Sequence, residues 1–198
     1  QTLVITTDRF EAFLEENNLS HLADSDLPDE AVAEQFLSGR IPDDLTQSLH
    51  SFLVNADYPL AVRSSSLLED AQHHAYAGLY RTYMLPNDHA DIAARLSHLL
   101  QAVKLVYAST YMQDPRSYSR RVGHQIGQEK MAVIIQQLVG RRVEDYFYPA
   151  ISGVAQSYNY YPMARTKPEH GVAVIALGLG KMVVGGQRSL RFCPRFPK

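Results

Sequence analysis

A near-continuous apolar run over residues 131–139 constrains the fold more than any other feature of this sequence. Such a run is typical of a strand that is buried on both faces of a sheet. A second strong pattern lies at residues 90–107, where Ile92, Leu96, Leu99 and Val103 recur at the three- and four-residue spacing of an apolar helix face. We therefore expect a sheet with flanking helices.

The chain changes character at Tyr58-Pro59. Before this point the pattern predicts a strand end and then helices; after it, strands crossed by helices. The predicted helices begin after Asp8 and at residues 29–37, 43–56, 90–107 and 110–122, the last interrupted near Pro115. The predicted strands cover residues 60–63, 80–85, 131–139, 146–157 and 172–177. These patterns predict an α+β fold with a helical part at residues 1–57 and a sheet-containing part at residues 58–198.

Composition excludes several classes of function. The formal net charge is -2 and no basic stripe is present, which argues against a nucleic-acid partner. No stretch of about 18 apolar residues occurs, so we expect no membrane span. The single cysteine, Cys193, cannot form an internal disulfide and favours a cytoplasmic setting. The eight histidines form no Cys/His ligand pattern, which argues against zinc.

The segment from Arg63 to Asp70 is the first candidate for chemistry. Arg63 leaves a predicted strand and is followed by three serines, Ser64 to Ser66. A guanidinium and several hydroxyls at a strand end suit phosphate oxygens. The alternative is structural: Arg63 pairs with Glu69 or Asp70, and the serines cap a helical turn at the Ser66–Glu69 capping-box spacing.

Three further segments are weaker when taken alone. Gly78 lies among small residues before a predicted strand and would let backbone approach an anion, although most glycine turns bind nothing. The strand end at Gln136 could pair its backbone with a purine, or be plain core. The glycines before Lys181 hint at a phosphate loop, but neither the P-loop nor the dinucleotide spacing is present.

The order of these segments resembles a known family. The sequence Val62-Arg-Ser-Ser-Ser66 with Glu69-Asp70, then Tyr76-Ala-Gly78 and Thr82, is similar to the "VRSSA…ED…FAGQ…T" signature of the phosphoenolpyruvate synthase/pyruvate phosphate dikinase nucleotide-binding domain. Residues 131–139 resemble its hinge strand, residues 152–155 its "SGV" strand and residues 178–185 its "GLGE.VV.G" loop. Residues 3–10 resemble its "GFVITT.AF" segment.

The resemblance implies an ATP-grasp-like fold that binds ATP and magnesium. Members transfer the β-phosphoryl group of ATP to a histidine on a swivelling domain, and from there to pyruvate bound by a third domain. It implies that Arg63 contacts phosphates. The family has a glutamate at the position of Lys181; this chain either does without the role of that glutamate or uses the Lys181 ammonium to contact phosphate itself. The remaining ATP-binding residues implied are those of the arginine turn, the glycine turn and the hinge strand: Ser64, Gly78, Leu79, Thr82, Gln136, Gln137, Leu138 and Val139.

The resemblance also implies that parts of the family's machinery lie outside residues 1–198. The lysine-bearing loop would precede Gln1, the metal-ligating "QDIEW" segment would follow Lys198, and the phosphohistidine and phosphoenolpyruvate/pyruvate domains are not represented. We therefore expect no dikinase turnover from this chain alone, and weak nucleotide binding at best. A homodimer is a further expectation for the whole protein.

Two functions remain in competition. The first is the ATP-binding part of a phosphotransferase that acts on pyruvate, or on another acceptor as in rifampicin phosphotransferase. The second is a degenerate regulatory or interaction domain that has lost turnover. Two departures from the family favour the second: Leu79 stands where the family has glutamine, and Lys181 reverses a charge.

Overall fold

The computed structural model describes residues 1–67, 69, 78–162, 165–180, 183 and 189–197. The chain forms two compact units, unit 1 (Gln1–Leu138) and unit 2 (Val139–Lys198). The change of character predicted at residue 58 falls inside unit 1, where helices and strands share one hydrophobic core. None of the described helices has the length and apolar character needed to cross a membrane.

Unit 1 combines helices with a four-stranded antiparallel sheet. Its helices are α1 (Thr7–Glu16), α2 (Asp29–Ser38), α3 (Asp43–Val54), α4 (Ile92–Ser109) and α5 (Gln113–Val122), with short 3-10 helices at Ser20–Asp24 and Ile126–Gln128. Its strands are β1 (Thr2–Ile5), β2 (Leu60–Ser66), β3 (Thr82–Leu85) and β4 (Met131–Gln137). The strand order is β1-β4-β2-β3, which makes β4 and β2 the central strands.

The helices form where the apolar spacing predicts them. Phe10, Phe13 and Leu14 are buried on one face of α1. The helix begins at Thr7, so Asp8, after which the helix was predicted to begin, lies in its first turn. The interruption expected near Pro115 is wrong. Helix α5 starts at Gln113, so Pro115 lies in the first turn, where no intrahelical N–H is required of it.

Strand β4 is the apolar run that the sequence emphasises. Met131, Val133 and Ile135 are fully buried, whereas Ala132 and Ile134 on the other face are half-buried. The expectation of burial on both faces is therefore corrected: one face packs into the core and the other is partly open.

The core of unit 1 lies between the helices and one face of this sheet. Aromatic rings fill its centre: Phe10 packs against Tyr107 at a centroid distance of 5.0 Å, and Phe13 against Phe36 at 5.9 Å. Tilted ring contacts at these distances add to the stabilisation from burial.

Unit 2 is built from short antiparallel strands. Strands β5 (Arg141–Val143) and β6 (Tyr146–Tyr148) form a hairpin, and β7 (Ile151–Gln156), β8 (Val172–Leu177) and β9 (Leu190–Phe192) form a sheet in that order. Strand β8 confirms the prediction for residues 172–177. The single strand predicted at 146–157 is two strands, separated at Pro149-Ala150. The α+β class is confirmed, and every strand pair among the described residues is antiparallel.

Candidate functional site

Arg63 lies in a row of residues that crosses all four strands of the sheet in unit 1. It stands directly opposite Thr82 on β3 and Ile134 on β4, and Ile134 stands opposite Val4 on β1. Directly paired residues have Cβ atoms about 5 Å apart. Arg63, Thr82 and Val4 are exposed and Ile134 is half-buried, so this row lies on the open face of the sheet.

The next row on the same face adds polar and apolar groups. Gln136 on β4 is opposite Ala61 on β2, and Ala61 is opposite Met84 on β3. Gln136 is exposed, and the Met84 side chain is 61% exposed. The open face therefore places one guanidinium, a hydroxyl and an amide beside apolar side chains, the combination that a ligand with an apolar ring and an anionic tail requires.

Ser64 is not part of this face. Side chains alternate along β2, so Ser64 and Ser66 point with Leu60 and Val62 into the core. The Ser64 hydroxyl is buried and donates to Oε1 of Glu69 at 2.9 Å. We therefore assign Ser64 a structural role on the core side of β2, and no contact with a ligand on the open face.

The capping interaction predicted for Ser66 and Glu69 forms in part. Oε2 of Glu69 accepts a hydrogen bond from the Ser66 backbone amide at 3.1 Å, although Ser66 is still in β2 and residues 67 and 69 are in turns. Both oxygens of Glu69 are thus engaged by serines. Among the described residues no salt bridge to Arg63 forms; Asp70, the other expected partner, lies outside them.

Gly78 and Leu79 precede β3 and differ in their surroundings. Gly78 has φ of +77°, a left-handed conformation that favours glycine, and is exposed. The Leu79 side chain packs against the hydrophobic core. Only the backbone of Leu79 is therefore available to a ligand on this side of the sheet.

The hinge strand ends at the boundary between the two units. The amide of Gln137 donates to the Gln1 carbonyl at 3.0 Å and the amide of Leu138 to the Pro59 carbonyl at 2.9 Å. These two N–H groups are already bonded within unit 1. Val139 begins unit 2 and is 84% exposed. Lys181 lies outside the described residues, as do Gly185 and Gly186.

A buried carboxylate, which the sequence analysis missed, lies behind β2. The Ser66 hydroxyl donates to Oε1 of Glu129, and Nε2 of His124 lies 3.6 Å from its Oε2. Burial raises the pKa of Glu129, and the nearby charge of Glu69 raises it further. The hydrogen bond from Ser66 lowers this pKa, as does the interaction with His124. The available signal was a single acidic residue two positions before the apolar run.

The described residues do not fit a magnesium site. Glu69 and Glu129 are on the core side of β2, bonded to serines, and no cluster of three or more potential metal-ligating side chains occurs in the part of the chain that the structure describes. Magnesium prefers carboxylate and phosphate oxygens. The open face offers a guanidinium, which repels the ion.

Comparison with known proteins places the chain in a family. Residues 1–190 match the sequence profile of the pyruvate phosphate dikinase AMP/ATP-binding domain. The chain is also 27% identical over 183 residues to the uncharacterized phosphotransferase YvkC of Bacillus subtilis (strain 168); this covers 92% of the chain and 20% of YvkC. The chain thus spans about a fifth of the length of this relative. It belongs to the pyruvate phosphate dikinase AMP/ATP-binding domain family.

Proposed function

We propose that the open face of the sheet in unit 1 binds ATP, with the Arg63 guanidinium on the phosphates. The observation that carries the proposal is the row formed by Arg63, Thr82 and Ile134, which sets a cation and a hydroxyl beside an apolar residue. A guanidinium offers several N–H groups in a planar fork, which matches phosphate oxygens better than a single ammonium does.

The adenine ring is assigned to the end of β4. Gln136 lies on the same face of the sheet as Arg63, and the chain continues from Gln136 through Gln137 and Leu138 to Val139. Because the amides of Gln137 and Leu138 already have partners, purine bonds at these two positions would use carbonyl oxygens. A carbonyl accepts from the exocyclic amine of adenine. Gly78, Leu79 and Thr82 are assigned to the phosphates, Leu79 through its backbone.

In the whole protein we assign this domain to a dikinase-type phosphotransferase. In this reaction the β-phosphoryl group of ATP is transferred to a histidine on another domain and AMP is released. Water takes the γ-phosphoryl group, which leaves as phosphate, and the phosphohistidine then phosphorylates pyruvate or another acceptor. The open face would bind and orient the nucleotide. Its described residues supply one guanidinium and no carboxylate cluster, so we expect them not to support turnover alone.

Calorimetric titration with magnesium ATP, together with an assay for pyruvate-dependent AMP formation, tests the proposal on the full-length protein. Binding that is weakened by Arg63→Ala, with AMP formed only when pyruvate is present, supports it. Absence of ATP binding refutes it. AMP formation with an acceptor other than pyruvate would keep the dikinase function and change its substrate.

The competing function is a degenerate domain that binds nucleotide without turnover. One of the two departures that favoured it has a structural role here, because Leu79 packs on the core. A polar side chain at this position would be less well accommodated by that packing. The leucine therefore does not by itself argue for lost activity. ATP binding without AMP formation across a panel of acceptors would favour the degenerate domain.

A further inference from the structure

A cleft of about 440 Å³ lies in unit 1 beside helix α5, and none of the residues assigned to ATP lines it. Arg116 and Arg120 line it from α5, while Asp24, Gln125 and Gln128 line it from the two short 3-10 helices and the turn before the second. A smaller cleft, of about 300 Å³, is lined by the same two arginines. The two arginines therefore border both clefts.

Arg116 is a buried cation without a counter-charge. The residue is 5% exposed, and its guanidinium donates to the carbonyl and hydroxyl oxygens of Ser25 and to the carbonyl of Leu27. These acceptors are all neutral, and no carboxylate in the described part of the chain forms an ion pair with Arg116. Burial of a charge is costly unless an opposite charge accompanies it. An anion bound in the cleft would supply that charge.

Arg120 adds a second and more accessible positive charge. Its side chain is 64% exposed and donates to Oδ1 of Asp26 at 2.8 Å. This hydrogen bond and the charge of Arg120 lower the pKa of Asp26, and the charge of Arg116 lowers it too. Asp26 lines the smaller cleft. An anionic oxygen is thus already stabilised beside the two arginines.

The other polar groups of the larger cleft suit hydroxyl groups. Asp24 brings a carboxylate, and Nε2 of Gln128 donates to Oε1 of Gln125 at 2.8 Å. A carboxylate repels a second negative group on a ligand but accepts hydrogen bonds from hydroxyls, and amides both donate and accept. Small-molecule sites commonly measure about 300–1,000 Å³, so the cleft has room for more than a phosphate ion.

We propose that this cleft binds a small phosphate monoester that carries hydroxyl groups. Arg116 and Arg120 contact the phosphate, and Asp24 and the two glutamine amides contact the hydroxyls. The arginines are four residues apart in α5, which sets both side chains on one face of the helix. Planar guanidinium groups match the oxygens of a phosphate. The site is separate from the open face of the sheet and does not depend on ATP binding there.

Calorimetric titration of the full-length protein with glycerol phosphate tests the proposal, with inorganic phosphate and glycerol as comparison ligands. We expect glycerol phosphate to bind more tightly than inorganic phosphate, and glycerol to show no binding at millimolar concentration. Hydrogen exchange locates the ligand: glycerol phosphate should protect peptides that cover residues 116–128.

Four variants separate this site from the open face. Arg120→Gln removes one of the two positive charges and should raise the Kd for glycerol phosphate about five- to tenfold. Asp26→Asn removes the carboxylate that competes for Arg120 and should lower the Kd about two- to fivefold, a gain that loss of folding does not produce. Arg121→Gln, at an exposed position of α5 outside the cleft, is the matched control. This control and Arg63→Ala should stay within about twofold of the wild type.

Several results would overturn the inference. The first is a wild type that does not bind glycerol phosphate, and the second is an unchanged affinity in both Arg120→Gln and Asp26→Asn. Equal affinity for inorganic phosphate and glycerol phosphate also overturns it, because the hydroxyl contacts would then contribute nothing. If Arg63→Ala abolishes binding and Arg120→Gln does not, the ligand is on the open face; this inference then fails while the proposed function stands.

Discussion

Arg63 and Thr82 lie directly opposite each other on antiparallel strands, and both side chains are exposed on the open face of the sheet. One strand comes from the arginine-serine segment and the other from the segment after the glycine turn. Strand pairing brings the two together through the backbone ladder, so their spacing does not depend on either side chain. The arrangement is therefore available before any ligand binds.

Removing the guanidinium tests the role of Arg63. Arg63→Ala should raise the Kd for magnesium ATP by about ten- to a hundredfold, and Arg63→Lys by less, because an ammonium keeps the charge but loses the planar fork. The melting temperature should change little, since Arg63 is exposed and has no salt bridge among the described residues. Calorimetric titration and a thermal melt measure the two quantities.

The control is Arg121→Ala, which removes the same charge from an exposed position on α5. It should leave ATP binding unchanged at physiological salt. An equal loss in both variants would mean that only net charge matters, and unchanged binding in Arg63→Ala would contradict the assignment.

A side chain at position 78 should strain the backbone. Gly78 has φ of +77°, and no described atom lies within 4 Å of the place where a Cβ would stand. The cost of Gly78→Ala therefore comes from the left-handed conformation alone, about 1–2 kcal/mol in the free energy of unfolding. Urea denaturation measures it.

The control is Gly127→Ala. A Cβ at this position would meet Ala23 at an ordinary 3.5 Å, and the backbone is not left-handed. We therefore expect the free energy of unfolding to change by no more than about 0.5 kcal/mol. Equal costs at the two positions would contradict the explanation.

The phenol of Tyr107 offers a test of the core. Tyr107 is fully buried in contact with Phe10 and Phe13, and its hydroxyl has no hydrogen-bond partner among the described residues. An unpaired buried hydroxyl destabilises the folded state by about 1–3 kcal/mol, so Tyr107→Phe should leave the free energy of unfolding unchanged or raise it, as urea denaturation measures.

Phe13→Ala is the comparison within the same cluster. It leaves a ring-sized cavity and should lower the free energy of unfolding by about 3–5 kcal/mol. A loss of more than about 1 kcal/mol in Tyr107→Phe would show that the hydroxyl is bonded.

Glu129 should make stability depend on pH. Burial raises the pKa of this carboxyl in the folded chain. Between the ordinary glutamate pKa of about 4.3 and the higher pKa in the folded chain, the folded state therefore binds more protons than the unfolded state does. The free energy of unfolding should therefore fall as pH rises through this window. Glu129→Gln cannot titrate, so its stability should fall less as the pH rises from about 4 to about 6.

Denaturation in urea at several pH values measures the difference between the wild type and Glu129→Gln. The control is Glu11→Gln, at a half-buried position in α1 where the carboxylate pairs with Lys130; this variant should keep the wild-type slope. A wild-type slope in Glu129→Gln would show that another group titrates in its place. Tyr111 and Glu69 also interact with the Glu129 charge.

Local patterns predicted much of the fold. The apolar spacing of α4 and the β-rich composition of β8 were sufficient, because both elements bury a face that the sequence marks clearly. The alternation of side chains along β2 also predicts the position of Ser64. Because Leu60 and Val62 point into the core, the side chain of Ser64, two residues further on, points into the core as well. The family motif groups Ser64 with Arg63, whereas the alternation of β2 places the two side chains on opposite faces.

The remaining features depend on contacts between distant parts of the chain. Ser109 meets Arg81 across 28 residues, and Ser66 meets Glu129 across 63. No local pattern encodes such a contact, since the two partners are brought together by the packing of α4 and by the pairing of β2 with β4. The half-open face of β4 likewise follows from where the helices pack, which its composition does not indicate.

Hydrogen exchange of the full-length protein with and without magnesium ATP tests the central claim most directly. If the open face of unit 1 binds the nucleotide, peptides covering residues 78–85 and 136–139 should gain protection in the wild type, and Arg63→Ala should abolish the gain at 78–85. ATP binding that protects neither segment would contradict the account.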